Sequence, residues 1–276
     1  MLTPALGKDK PFWGKMKERI KLPGGFVNEV FREDGVVIKH FEGEALVGKT
    51  KESRKLRETH ALRVFGDKLS PSFLGFDARG DLLQTFIPGE IVENLALTKE
   101  AVDFVELGTL LKRIHRPVVR NPDYLKSDFD CRVHTSISKA RPILEDEGIE
   151  LSIDIDWEDV FSWGTTRVHR DFWMGNIVIN GGGVVVIDWE FSGIGSPYED
   201  FTIADLWIFR EYEDQYPKLR DEFWKGYGKK PDEHNIQEFL KTRCVEFIAT
   251  TSLSAYKDEE ENGFYHNKVR ILKELR

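Results

Sequence analysis

The sequence predicts an α+β protein of two lobes, a small lobe with an antiparallel sheet over residues 1–88 and a mostly helical lobe over residues 89–276. Two extended runs joined by a tight Asp34-Gly35 turn indicate a hairpin near the start of the chain. The Ile87-Pro88-Gly89 segment then interrupts the pattern, because proline and glycine stop both kinds of regular element. Beyond it, apolar residues recur at helical spacing, which favours helices for most of the remaining chain.

The small lobe is predicted to hold four strands and one helix. A strand over residues 26–31 is followed by a return strand over residues 36–39. Residues 50–65 contain no glycine or proline and carry apolar side chains at loosely helical spacing, which predicts a helix. Two short strands follow, over residues 73–76 and 82–86, with a turn between them.

The second lobe is predicted to begin with a helix that Thr98 caps, because an apolar stripe runs from Val102 to Ile114. Residues 117–135 contain two prolines and are predicted to be irregular. Further helices are expected over residues 136–147, near residues 198–213, 217–228 and 233–256, and at the charged C-terminus.

Composition and charge exclude several classes of protein. The net charge is −8 and the isoelectric point is about 5.5, which argues against a nucleic-acid-binding surface, since such surfaces carry a basic excess. Cys131 and Cys244 are far apart and lack metal-ligand spacing, so we expect no disulfide scaffold. No apolar run is long enough to span a bilayer. We therefore expect a cytoplasmic protein without a membrane partner, and the sequence leaves its oligomeric state open.

The most informative segment is residues 169–176, which read His-Arg-Asp-Phe-Trp-Met-Gly-Asn. After this H-x-D-x-x-x-x-N pattern, two apolar strands joined by glycines return the chain to Asp188. Asp171, Asn176 and Asp188 supply the groups that phosphoryl transfer needs, a carboxylate that takes a hydroxyl proton and an amide and a second carboxylate that hold Mg²⁺. Taken alone, the loop is equally well explained as a polar cap on a hairpin, in which Asp171 accepts backbone hydrogen bonds.

Lys39, at the end of the second strand, is the candidate for binding nucleotide phosphates, although an ordinary solvated lysine is the alternative. Its expected partner is Glu58, with Glu52 as the competitor, because the apolar residues four and seven positions after Glu58 turn that helix face toward the sheet. Gly24 and Gly25 precede the first strand. A glycine pair is more often only a turn, but its backbone can also cover phosphates from above.

Together these segments resemble the aminoglycoside phosphotransferase and choline kinase superfamily, small-molecule kinases with a protein-kinase-like fold. The similarity runs from about Leu22 to Leu206. It implies a protein-kinase-like two-lobe fold and transfer of the γ-phosphate of ATP, or of GTP, to a hydroxyl of a small molecule. The matching segments are residues 24–30, 37–39, 57–58, 61–62, 83–89, 107–108, 111, 114–115, 169–176, 187–190 and 195–200.

The resemblance implies a role for each residue of the loop. Asp171 would be the catalytic base, and Asn176 and Asp188 would be the Mg²⁺ ligands. His169 would brace the backbone near Asp188, and Asp200 would steady the loop without touching substrate.

The resemblance also implies how the nucleotide is held. Lys39 would contact the phosphates, with Glu58 behind it. The backbone of the linker from Thr85 to Ile87 would meet the adenine edge.

Arg170 departs from the pattern, because the family commonly has a small residue at this position. The resulting His-Arg-Asp triplet also occurs in protein kinases, where the arginine often pairs with a phosphorylated activation loop. Asp188 and residues 195–200 are too close together for such a loop, and no Ala-Pro-Glu follows, so we expect a surface or packing arginine. A protein-kinase-like Ser/Thr kinase is thus a distant alternative, and a nucleotide-binding pseudokinase that acts as a scaffold is another.

The acceptor pocket is expected among the helices that follow Asp200. An acidic and aromatic wall there would suit a cationic alcohol, such as an amino sugar or a choline-like amine, through charge pairing and cation–π contact. The alternative is an ordinary solvated helix face with a few core aromatics. The residues concerned are Asp205, Trp207, Glu211, Tyr212, Glu213, Trp224 and Tyr227.

Overall fold

A five-stranded antiparallel sheet forms the N-terminal part of the computed structural model, in the order β1-β2-β3-β5-β4. Its strands are β1 (Ile20–Lys21), β2 (Glu29–Glu33), β3 (Val36–His40), β4 (Phe73–Phe76) and β5 (Leu82–Thr85). The structure describes residues 19–22, 28–43, 50–66, 68–98, 102–119, 122–211, 215–252, 256–257 and 263–275. The predicted hairpin is confirmed, and Asp34 and Gly35 at its turn have φ angles of 46° and 81°, the left-handed conformation that tight hairpin turns require.

The helix predicted over residues 50–65 is present as α1 (Lys51–Phe65). It begins at Thr50, whose hydroxyl accepts a hydrogen bond from a backbone N–H of the first turn, as an N-cap residue does. Its buried face carries Arg54 and Glu58, one turn apart, and ends in Phe65. The Phe65 ring stacks on Trp189 with 4.7 Å between centroids, so the helix packs directly on the segment that follows Asp188.

Helices make up most of the C-terminal part, as predicted. They are α2 (Val92–Thr98), α3 (Phe104–Ile114), α4 (Pro122–Asp146), α5 (Trp157–Ser162), α6 (Tyr198–Glu211), α7 (Tyr216–Tyr227), α8 (Glu233–Ile248) and α9 (Gly263–Glu274). In the part of the chain that the structure describes, no helix has both the length and the apolar character needed to cross a membrane.

Three predicted boundaries are wrong. Asp103 caps α3, with its carboxylate 3.0 Å from the N–H of Glu106 in the first turn, whereas Thr98 ends the short helix α2. Helix α4 begins at Pro122, although residues 117–135 were expected to be irregular. Proline is tolerated in the first turn of a helix, where its missing N–H has no intrahelical partner in any case. Helix α8 ends at Ile248, short of the predicted residue 256.

Helices α3 and α7 cross at two glycines. A Cβ atom on Gly108 would lie 2.0 Å from the carbonyl oxygen of Phe223, and one on Gly226 would lie 2.0 Å from that of Val105. No side-chain carbon fits at that distance, so the two backbones can meet only because both positions are glycine.

Two small sheets flank the loop of residues 169–176. The predicted hairpin after the loop consists of β8 (Ile177–Asn180) and β9 (Gly183–Val186). The pairing of β8 with β6 (Glu90–Ile91) was not predicted. A second unpredicted pair joins β7 (Thr166–Val168), just before the loop, to β10 (Gly193–Gly195). Because these strands hold both ends of residues 169–176 and 187–192, the two segments lie side by side.

Candidate active site

Asp171 and Asn176 meet on one loop, which closes with a 3₁₀ turn over Met174–Asn176. Asn176 Nδ2 donates to Asp171 Oδ2 at 2.8 Å and to the Asp171 carbonyl oxygen at 3.0 Å. The Asp171 side chain is 21% exposed. Burial raises the pKa of Asp171 to about 7, against the opposing positive charge of Arg243. The site therefore presents a carboxylate that is orientated by an amide and poised to accept a proton near neutrality.

Lys39 contacts three carboxylates where the sheet meets the helical part. Its Nζ lies 2.7 Å from Glu58 Oε2, 2.5 Å from Asp188 Oδ1 and 3.2 Å from Glu190 Oε2. Burial disfavours the charge of Lys39, yet the three carboxylates together raise its pKa above the ordinary value. Burial also raises the pKa of Glu58, to about 7. Of the two glutamates considered for this contact, Glu58 makes it, and Glu52 is exposed to solvent.

Glu190 and Arg54 were not singled out from the sequence. Arg54 is fully buried, and its Nη1 lies 3.1 Å from Glu190 Oε2 and 2.8 Å from Asn28 Oδ1. The other nitrogen of the guanidinium, Nη2, donates to the carbonyl oxygens of Glu42 and Gly43. One sequence signal could have found Arg54, since it lies four residues before Glu58 and so shares its helix face.

The Asp200 side chain binds the backbone of the loop. It is completely buried and accepts from His169 N at 2.7 Å and from Arg170 N at 2.5 Å, while His115 Nε2 lies 3.0 Å from the same carboxylate. His169 donates from Nε2 to the carbonyl oxygen of Ile187 at 3.1 Å, which ties the loop to the strand end before Asp188. Burial lowers the pKa of His169, so the ring is neutral and acts as a structural donor.

Arg170 is itself buried and lies in a partly buried set of ion pairs that we call the arginine network. It consists of Arg132, Arg170, Arg243, Glu199 and Glu246. Glu199 contacts Arg170 Nε and Arg132 Nη2, each at 2.8 Å. Glu246 contacts Arg132 at 2.7 Å and Arg243 at 3.0 Å. Of the two expected roles for Arg170, the structure thus favours packing over exposure at the surface.

The linker and the glycine pair were also predicted to bind nucleotide. Thr85 N donates to the Ser72 carbonyl oxygen at 3.0 Å, and Phe86 N donates to that of Gly35 at 2.8 Å, so two backbone donors of the linker are used inside the fold. Ile87 follows them and is half-buried. Gly24 and Gly25 lie outside the described residues.

The described members of the expected acceptor wall are core and bracing residues. Asp205 binds Arg220 Nε at 2.5 Å and the Tyr216 hydroxyl at 2.9 Å, so its charge is neutralised within the fold. Trp207 donates from Nε1 to the Phe172 carbonyl oxygen at 2.7 Å and so supports the loop of residues 169–176. Trp224 and Tyr227 are buried among other aromatic rings. The side chain of Glu211 and residues 212–214 lie outside the described part.

Several solved structures with a similar fold are kinases or phosphotransferases. A choline/ethanolamine kinase family protein from Mesorhizobium loti has a TM-score of 0.60 and 16% identity, over 96% of this chain and 89% of that one. An ADP-bound aminoglycoside phosphotransferase has a TM-score of 0.59 and 18% identity, over 95% and 92%. A GDP complex of an aminoglycoside 2'-phosphotransferase has a TM-score of 0.62 and 13% identity, over 94% and 92%.

The sequence itself shows the family. No curated protein matches the chain, but the family model of the phosphotransferase enzyme family matches residues 20–239. That match spans most of the chain. The solved structures have the same mixed fold as this protein, with a small antiparallel sheet and a helical part. The chain therefore belongs to the phosphotransferase enzyme family.

Proposed function

We propose that the protein transfers the γ-phosphate of ATP, or of GTP, to a hydroxyl group of a small amine-bearing molecule. The observation that carries this proposal is the meeting of two groups of side chains at one place. Lys39 contacts Asp188 from the sheet side, and Asp171 contacts Asn176 on the loop. The two pairs adjoin because the backbone N–H of Ile187, next to Asp188, donates to the Asn176 carbonyl oxygen at 2.9 Å. We further propose that residues 1–88 form the nucleotide-binding lobe and residues 89–276 the lobe with the catalytic loop and acceptor site.

In this proposal Lys39 binds the nucleotide phosphates, and Glu58 holds its ammonium group in place. The Ile87 N–H is our candidate for the adenine edge, since the N–H groups of the two preceding residues are used within the fold. Gly24 and Gly25 are proposed to cover the phosphates on the strength of the family resemblance.

Asn176 and Asp188 would hold Mg²⁺, and the donor chemistry fits this ion. Carboxylate oxygens of Glu58, Asp188 and Glu190 lie within 4.8 Å of one another, and the Asp188 side chain is 37% exposed. Asn176 gives its amide nitrogen to Asp171, which leaves its oxygen as the ligand atom. Mg²⁺ prefers such oxygen donors together with phosphate. When bound, the ion would neutralise charge on the phosphates.

Asp171 is proposed to accept the proton of the acceptor hydroxyl. As that oxygen forms its bond to the γ-phosphorus, the bond to the bridging oxygen breaks, and the nucleoside diphosphate leaves with the electron pair. The Asn176 amide fixes the Asp171 carboxylate so that one oxygen faces the acceptor. Lys39 offers positive charge to the phosphate groups that become more negative.

Amine-bearing alcohols are the acceptors we favour. The negative net charge of the chain attracts cations, and the similar structures include complexes with gentamicin and with streptomycin as well as choline and ethanolamine kinases. Those acceptors belong to the other proteins, and for this chain they define the compounds to be tested first.

The test is transfer of the terminal phosphate from ATP and from GTP to a panel of amino sugars, amino alcohols, uncharged sugars and hydroxy amino acids. Asp171→Asn keeps the shape of the side chain but removes the proton acceptor, so kcat should fall by roughly 10²–10⁴. Asp221→Asn, at an exposed carboxylate on α7, is the matched control and should retain activity. The proposal is wrong if no panel member is phosphorylated faster by the parent protein than by Asp171→Asn.

A further inference from the structure

Arg243 reaches the catalytic loop from helix α8, four residues beyond the end of the family match at residue 239. Its Nη2 donates to the carbonyl oxygen of Arg170 at 3.0 Å and lies 3.7 Å from Asp171 Oδ1. Its Nη1 contacts Glu246 at 3.0 Å, and the side chain is only 10% exposed. One end of the guanidinium is thus held by Glu246 on the same helix, and the other end contacts the loop.

The loop needs such support because Arg170 has an unusual backbone. Its φ angle is 64°, a left-handed conformation that is unfavourable for a residue other than glycine and persists only where the surroundings impose it. Asp200 on α6 takes the N–H of Arg170, and Arg243 on α8 takes its carbonyl oxygen. Side chains from two helices therefore hold both backbone polar groups of the residue that precedes Asp171.

The two oxygens of Asp171 have different neighbours. Oδ2 accepts from Asn176 at 2.8 Å, whereas Oδ1 faces Arg243 at 3.7 Å, too far for a hydrogen bond but close enough for strong attraction. Arg243 thus acts on Asp171 both through the preceding peptide and directly through its charge. A shift of the carboxylate by 1 Å can lower the rate of a positioned reaction about 10²-fold.

We propose that Arg243 is a positioning residue for phosphoryl transfer, which sets the direction of the Asp171 carboxylate by holding the Arg170 carbonyl. This inference rests on the proposed role of Asp171 as the base. Arg243 makes no described contact with Lys39 or Asp188, so its influence should fall on turnover and leave nucleotide binding alone.

Arg132 provides a matched control. It belongs to the same arginine network and contacts Glu199 and Glu246 at 2.8 and 2.7 Å, but within the described residues it makes no recorded contact with the backbone of the catalytic loop. Replacing either arginine by methionine removes one positive charge from the same network. Any difference between the two variants therefore reports on contact with the loop.

The experiment measures steady-state kinetics and thermal melts of Arg243→Met, Arg243→Lys and Arg132→Met with the best acceptor of the panel. We expect Arg243→Met to lower kcat by roughly 10–10²-fold with an unchanged KM for nucleotide. Arg243→Lys keeps the charge and a donor and should recover part of the loss. Arg132→Met should melt at a lower temperature but keep its kcat.

A double substitution tests whether Arg243 acts through Asp171. Arg243→Met added to Asp171→Asn should lower kcat no further, because the group that Arg243 orientates is already gone. Equal kcat values for Arg243→Met and Arg132→Met, or additive losses in the double variant, would overturn the inference while leaving the proposed function intact. A parent protein that phosphorylates no acceptor would overturn the proposed function and, with it, this inference.

Discussion

Two groups of charged side chains lie near Asp171 and differ in charge balance and exposure. The first, which we call the carboxylate cluster, has three carboxylates against two cations. Its members are Lys39, Arg54, Glu58, Asp188 and Glu190. The second is the arginine network, with three cations against two carboxylates. The carboxylate cluster is almost wholly buried except at Asp188, which is 37% exposed.

This difference leads us to expect that the carboxylate cluster binds ligands and that the arginine network supports the loop. The carboxylate cluster has one more carboxylate than cations, and one of its carboxylates is exposed. An added cation would balance this charge, as a site for a metal ion and phosphate requires. The arginine network has its surplus positive charge beside Asp171, whose carboxylate lies 3.7 Å from Arg243, so its charges are satisfied within the protein. We therefore expect ligands to change the first group and to leave the second as it is.

The largest expected effect separates the two groups by stability. Lys39→Met leaves buried carboxylates without their cation and should lower the free energy of unfolding by roughly 3–5 kcal/mol. Mg²⁺ without nucleotide should restore part of that loss, because an ion that binds only the folded state stabilises it. Arg132→Met should be destabilised too, but without recovery in Mg²⁺. Thermal melts of both variants at several Mg²⁺ concentrations measure this, and equal Mg²⁺ effects on both would remove the distinction.

A second prediction concerns metal-dependent binding. Asp188→Ala should weaken nucleotide binding in Mg²⁺ by roughly 10–100-fold, the effect of losing one interaction with a charged group. Asp171→Ala should bind nucleotide nearly as the parent does, since Asp171 is assigned to the acceptor. Titration calorimetry with and without Mg²⁺ compares the two. If both variants lose affinity equally, the roles of these carboxylates have been assigned wrongly.

Asp200 should matter for stability more than for nucleotide affinity. Asp200→Asn keeps the shape but places an amide where three donors converge from His169, Arg170 and His115. One donor then loses its acceptor, which should lower the free energy of unfolding by roughly 1–3 kcal/mol. A denaturant titration gives this value, and calorimetry should show nearly normal nucleotide binding in the folded variant. A fully stable Asp200→Asn protein would contradict the bracing role.

The smallest effect uses the two cysteines that adjoin the arginine network in sequence. Cys131 precedes Arg132 and is exposed, whereas Cys244 follows Arg243 and is buried, and burial raises its pKa to about 12. A thiol reagent near neutral pH should therefore label Cys131 quickly and Cys244 only when α8 opens. Mass spectrometry of the labelled peptides gives both rates. Fast labelling of Cys244 would show that the network is looser than the structure indicates.

Elements of the fold were predicted correctly where a short stretch of sequence determines the local conformation. The Asp34-Gly35 turn set the hairpin, and the apolar strand pair after the loop set the return to Asp188. The error at Pro122 arose because we treated proline as a helix breaker. In the first turn of a helix, where α4 has Pro122, proline is tolerated. Short strands such as β6 were not predicted, because two residues are too few to show a periodic pattern.

The candidate site was predictable where a motif holds the residue and not where a distant partner does. Asp171 and Asn176 lie on one loop and were found together, and Glu58 was chosen correctly from its helix face as the carboxylate that contacts Lys39. Arg243 is 73 residues from the Arg170 carbonyl that it binds. No local pattern distinguishes such an arginine from one on a solvated helix face, because its role exists only after the chain has folded.

The crossing of α3 and α7 restricts how this protein can evolve. His115 follows α3 and donates from Nε2 to Asp200, and its Nδ1 lies within hydrogen-bond distance, 2.9 Å, of the Tyr227 hydroxyl on α7. Gly108 and Gly226 set the spacing of the two helices. The position of Asp200, and through it of residues 169–176, therefore depends on this spacing. A methyl group at either glycine would push the helices apart and draw the histidine away from its carboxylate. New acceptor specificity must therefore arise from segments outside this crossing, while the crossing itself can hardly accept a change.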